Sequence, residues 1–185
     1  MDTLTALHTR ASIGKVRPDP VPRELLEQLL AAAVQAPNHH KVRPWRFFVL
    51  TGAGRERLGE AMAAAAHARQ PDMPPEGLQA ERAKPLRAPV VIAVGVDMPA
   101  EPKVKLIENI CAAAAAAQNL LLAAHALGLA AMWRTGPAAE APEVKRFLGL
   151  APDQPLIGFL YVGYPLNEPA TPQRPSFEDR TVWLE

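Results

Sequence analysis

A single cysteine, Cys111, is all the thiol chemistry that the 185-residue sequence offers. One thiol cannot close an intrachain disulfide. Its place in the alanine-rich run CAAAAAAQNL marks it as a small buried hydrophobe and not a catalytic nucleophile. An excess of either charge is also missing, with a net charge of +1 and a pI near 8.0. Lysines and arginines are scattered and form no stripe that could follow the phosphates of a polymer, which argues against nucleic acid as a partner. No basic segment leads into an apolar one after Met1-Asp2-Thr3, so no signal peptide is expected. The longest apolar stretch, Ile110 to Ala117, stops at Gln118-Asn119, short of the roughly 20 residues a membrane span needs. The expectation is a soluble, cytoplasmic protein without a membrane partner.

Several chemical signatures are absent as well. There is no G-x-S-x-G elbow for a nucleophilic serine. Gly52-Ala53-Gly54 is the nearest approach to a phosphate-binding glycine loop, and it lacks the third glycine and a later acidic partner, which disfavours a Rossmann fold. The pair His39-His40 invites a metal reading, but adjacent side chains rarely aim at one point. None of His8, His67, His125 and Cys111 stands at a metal-binding spacing, so no metal site is expected. Without internal repeats or a dividing linker, residues 1–185 read as one domain with an extended, proline-bearing tail over about 165–185, its prolines at 165, 169, 172 and 175.

What is present suits one ordinary core: 49% of residues are hydrophobic and 21% charged. Helices are expected over Asp2–Thr9, Pro22–Gln35, Arg55 to about Ala68, Lys103–Leu127 and Glu140–Leu148, their ends marked by proline or glycine. Strands are expected at Trp45–Leu50, Val90–Val96, Leu129–Trp133 and Leu156–Val162, the second a β-branched run suited to burial on both faces. Gln70 to Gly77 reads as a polar, proline-bearing loop.

Basic and polar side chains then gather in three connecting segments: Arg10 with Ser12, His39 with Lys41 and Arg43, and Arg134 with Thr135. Guanidinium forks match phosphate oxygens and hydroxyls add neutral donors, so the three together suggest a site for a phosphorylated cofactor. Loops between regular elements are where such sites are built.

The motifs also carry a family likeness. TRASIGK resembles the Arg-x-Ser opening of flavin-dependent nitroreductases, and APNHHKVRPWRFFVL resembles their Pro-Trp segment. GLAAMWRTG and GFLYVGYP are similar to the small YdjA-like subgroup, and the likeness runs from about residue 2 to residue 165. It implies an α+β fold: a mixed, largely antiparallel sheet of four to five strands covered by helices, in an intertwined homodimer with two FMN sites at the subunit interface. It also implies that Arg10, Ala11 and Ser12 hold the FMN phosphate or ribityl chain, that Trp133, Arg134 and Thr135 meet it from another loop, and that His39, with Gln35 and Lys41, contacts the flavin. His40 is expected to point elsewhere. Gly14 stands where larger members carry a lysine and Lys41 where the family has asparagine, which leaves Lys41, Lys15 or His39 as the positive partner of reduced flavin.

The implied activity is a ping-pong NAD(P)H oxidoreductase. Flavin N5 carries the hydride, nitroaromatics or quinones collect the electrons, and no protein residue acts as a catalytic acid or base. An enone or halogenated substrate, or an FMN-binding redox-sensing module without efficient turnover, are the alternatives.

Overall fold

The β-branched run Val90–Val96 forms a strand with no residue to spare for water: all seven positions are buried. Such a segment must lie inside a sheet with both faces covered. The computed structural model describes residues 1–168 and 170–185; Pro169, one of the tail prolines, lies outside the described residues. Its sheet has four strands, β1 (Trp45–Leu50), β2 (Val90–Val96), β3 (Ala130–Arg134) and β4 (Leu156–Gly163). Their order is β1-β2-β4-β3 and every neighbouring pair is antiparallel.

Alternation along the central strands divides the core in two. Val90, Ile92, Val94 and Val96 face α2 (Arg23–Ala33) and the long α5 (Leu106–Ala126), while Val91 and Ala93 face α3 (Ala53–Arg69) and α7 (Pro142–Phe147). α5 meets the sheet and α2 through small side chains, Ala112, Ala113, Ala116 and Ala117, and Asn119 Nδ2 donates to the Ala32 carbonyl at 3.2 Å. By length and composition α5 is apolar enough to cross a membrane, which the shorter run read from the sequence had not suggested; here its inner face packs on the sheet.

Three expectations need correction. The segment read as a loop after Gln70 contains α4 (Pro75–Ala83), because Pro75 sits in the first helical turn where its missing N–H costs nothing. The single helix expected over Glu140–Leu148 is two, α6 (Pro137–Glu140) and α7, since the residue before Pro142 is held extended (Ala141 ψ 129°). Cys111 is exposed, not buried: Ala112 and Ala113 take the inward positions of that turn and leave Cys111 and Ile107 outward.

The stretch from Arg10 to Arg17 forms no helix or strand of its own, yet it is tied down along its length. Ile13 N–H donates to Ala131 O (3.0 Å) and Arg17 N–H to Tyr164 O (2.8 Å), and Val16 bridges Pro165. These bonds lay it against the free edge of β3 and the exit of β4, after α1 (Thr3–Thr9) has docked on α5 through Thr9 Oγ1 and His125 Nε2 at 2.7 Å.

Candidate functional site

Arg10 ends α1 and is partly withdrawn from water. Burial, and secondarily the positive charge of Arg174 from the tail, pull its guanidinium below its ordinary pKa. Arg174 Nη2 also donates to the Arg10 carbonyl at 3.0 Å. Two cations are thus brought together, and among the described residues neither forms an ion pair with a carboxylate. An anion placed there would relieve the repulsion and satisfy both forks. Ala11 beside them is half-buried and Ser12 is exposed.

Along β3, alternation sends neighbours to opposite faces of the sheet. Trp133 packs with the α5 side, its Nε1 donating to Ile157 O at 3.0 Å. That contact requires glycine at 158, where φ is +137° and a Cβ would lie 2.6 Å from Trp133 Nε1 and 2.5 Å from Arg134 O. Arg134 turns to the other face, its guanidinium carbon 5.6 Å from the Tyr161 ring centroid. Its Nη2 reaches back toward Gly14, where an added Cβ would come within 3.3 Å of it and 3.2 Å of Met132 Sδ. A side chain at position 14 would require the far ends of Met132 and Arg134 to give by a few tenths of an ångström. Thr135 is exposed just beyond.

The segment Asn38–Pro44 departs from ordinary backbone. His40, Lys41 and Arg43 have φ of 49°, 55° and 50°. For residues with a Cβ this left-handed region costs roughly 1–2 kcal/mol each. The turn is held by Asn38 Oδ1, which accepts from Arg43 N–H at 2.8 Å, and by His39, whose Nδ1 lies 3.0 Å from Glu108 Oε2. Glu108 is kept below its usual carboxylate pKa by the Lys105 backbone N–H first and by His39 second. Stored strain of this kind collects at functional sites. The His40 ring centroid lies 4.4 Å from that of His39. Lys41 and Gln35 are exposed, Gln35 bonding back to Ala31 O at 3.2 Å. A cavity of about 390 Å³ opens beside His39, walled by Pro37, Ile107, Cys111 and Ala115.

Within one chain the expected residues fall into two groups. Arg10, Ala11 and Ser12 lead into the stretch that Ile13 N–H bonds to Ala131 O on the edge of β3, and Arg134 Nη2 reaches toward Gly14 of that stretch, with Trp133 and Thr135 on the same strand end. Gln35, His39 and Lys41 lie elsewhere. His39 is bonded to Glu108 near the start of α5, whereas Thr9, next to Arg10, is bonded to His125 near its end. Seventeen positions of one helix separate those anchors, about 25 Å at 1.5 Å per residue. Sequence reasoning did not find Arg174 or Glu108, whose links span 164 and 69 positions and leave no local pattern.

Comparison with known proteins gives three consistent findings. A family model described as the nitroreductase family matches residues 7–164. YdjA of Escherichia coli (strain K12), named for NAD(P)H nitroreductase activity, is 34% identical over 172 residues, which is 92% of each chain. Among solved structures, a nitroreductase-like family protein from Bacillus cereus superposes with a TM-score of 0.83 at 25% identity, covering 100% of this chain and 99% of its own. A nitroreductase-named protein of Desulfovibrio desulfuricans, solved in complex with FMN, has a TM-score of 0.73 at 28% identity and covers 98% and 95%.

Proposed function

The chain belongs to the nitroreductase family, and from that premise we propose that it is an FMN-dependent NAD(P)H oxidoreductase working as a homodimer with two sites between subunits. The observation that carries the reading is the corner where the half-buried Arg10 meets the exposed Arg174, two cations that form no ion pair with a carboxylate among the described residues. A terminal phosphate fits it, and a relative at 28% identity binds FMN. When bound, FMN accepts two electrons from NAD(P)H and passes them to an oxidised small molecule.

The chain's own residues bind, orient and shield. Arg10 and Arg134 take the phosphate in charge-assisted hydrogen bonds, Ser12 and Thr135 add hydroxyls, and Ala11 lets the backbone approach closely. Trp133, on the opposite face of the sheet from Arg134, is fixed by its bond to Ile157 O and steadies the strand end that carries Arg134 and Thr135. Because Arg10 and His39 lie far apart in one chain, the second copy supplies Gln35, His39 and Lys41. Glu108 accepts a hydrogen bond from His39 Nδ1–H, so Nε2 is left for the cofactor, as acceptor when the ring is neutral and donor when it is charged. Lys41 and Lys15 remain as further sources of positive charge. No side chain is assigned as a general acid or base, and protons come from solvent. Nitroaromatics and quinones are the substrate class.

Rapid mixing tests this. The purified yellow protein, mixed with NADPH or NADH without oxygen, is expected to lose its flavin absorbance and to regain it on adding a nitroaromatic or a quinone. Flavin that stays oxidised in both nicotinamides would point to a binding module without turnover, and FAD or no flavin released on heating would remove the FMN reading.

A further inference from the structure

On the sheet face opposite Trp133, a second basic site lies between the end of α3, the short turn Lys84–Arg87 that follows α4, and the end of β3. It is a cavity of about 190 Å³ whose lining includes Arg69, Lys84, Arg87 and Arg134, with Glu81 the one carboxylate and Tyr161 on its floor. Glu81 already holds Lys84 Nζ at 2.5 Å. That leaves three guanidinium groups, and among the described residues none has an acidic partner. Burial raises the Tyr161 hydroxyl pKa, so the phenol stays protonated and able to donate. Phe159 and Met62 line it too and lower its local dielectric, which strengthens the pull on an anion.

We propose that this cavity is an oxyanion site, separate from the flavin seat, that takes inorganic phosphate or the phosphate of a small monoester. Planar arginine forks converging from three elements suit a tetrahedral oxyanion better than a flat carboxylate. The volume is below the roughly 300–1,000 Å³ of pockets that enclose whole organic ligands, so one phosphate-sized group is what it holds. Neither Arg10 nor Ser12 lines it. Arg134 and Thr135 border both places, so the flavin phosphate and the anion are neighbours across one strand end.

The test is calorimetric titration of inorganic phosphate into the flavin-loaded protein in a phosphate-free buffer. Saturable binding is expected, because the flavin's own phosphate is already seated. In Arg69→Ala/Arg87→Ala the affinity should fall by about tenfold or more, one charge-assisted bond lost at the least, while flavin content stays at the wild-type level. Both side chains are exposed at the rim, and circular dichroism of the variant checks that it folds. No saturable binding to the loaded protein, or binding unchanged in the variant, overturns the proposal. Loss of flavin in step with phosphate overturns it too, since the cavity would then be the end of the flavin seat. Protein purified without any flavin that still binds phosphate at this site would uphold it while sinking the FMN reading.

Discussion

Arg10→Ala combined with Arg134→Ala is expected to yield a protein that purifies largely colourless. Each substitution removes a charge-assisted bond to the flavin phosphate, worth roughly 1.5–3 kcal/mol, or about a 10- to 150-fold rise in Kd. The two arginines come from different elements, α1's end and the end of β3, and losses at sites without shared partners add; here they share the phosphate, so the sum of about 3–6 kcal/mol is an upper range. The corner should become less crowded electrostatically when Arg10 is lost, because Arg174 no longer faces a like charge. Folding therefore should not suffer while cofactor affinity collapses. Titration of apoprotein with FMN, followed by quenching of flavin fluorescence, measures each step. Wild-type affinity in either single variant would reduce that arginine to ordinary surface.

Removal of the tail from Thr171 onward should have an effect of similar size by another route. Phe177, Val182, Trp183 and Leu184 are 63–92% exposed, a concentration of apolar surface that a lone chain leaves in water. Covering Trp183 and Leu184 on a second subunit would contribute roughly 1.5–3 kcal/mol each before ordering costs. The same cut removes Arg174, which bonds to the carbonyl of Arg10. The shortened chain keeps all four strands, since β4 ends at Gly163, so it should fold. It should nevertheless dissociate at higher concentration than the full chain and lose flavin as it does so. Trp183→Ala/Leu184→Ala, with Arg174 in place, separates the two contributions: dissociation without the direct loss at the phosphate corner. Sedimentation over a range of concentrations, with flavin absorbance followed alongside, reads both. A truncated protein that stays dimeric and fully yellow would mean that the tail covers no partner.

Local patterns in the chain carried most of the fold. Val90–Val96 was legible as a doubly buried strand because β-branched residues fill every position, and Trp45–Leu50 because a proline precedes an apolar run. α4 was hidden by Pro74-Pro75, which mark a loop as readily as a helix start, and only packing against α3 decides between them. Cys111 was misjudged because all positions of an alanine-rich helix look alike in sequence, so its inward face is set by α2 and the sheet. The basic residues of the site were readable as types and loops, but not their grouping. That Arg134 and Trp133 face opposite ways follows from strand alternation. That Arg174 reaches Arg10, or that Arg69 and Arg87 join Arg134 around one cavity, comes from folding alone. The left-handed backbone at His40, Lys41 and Arg43 was equally invisible, since none of the three residue types announces it and no glycine marks the turn.

The central claim is that one flavin is held by Arg10 and Arg134 of one subunit and His39 of the other. Mixed dimers test it most directly. A chain with Arg10→Ala/Arg134→Ala and a differently tagged chain with His39→Ala are co-expressed, and the dimer carrying both tags is isolated. If each site draws its two halves from different subunits, one site in that dimer has lost everything and the other is intact. The expected result is one FMN bound per mixed dimer at wild-type affinity, although each parent dimer binds weakly. If instead each chain builds its own site, both sites are damaged, and a mixed dimer with no wild-type-affinity flavin would contradict the shared site.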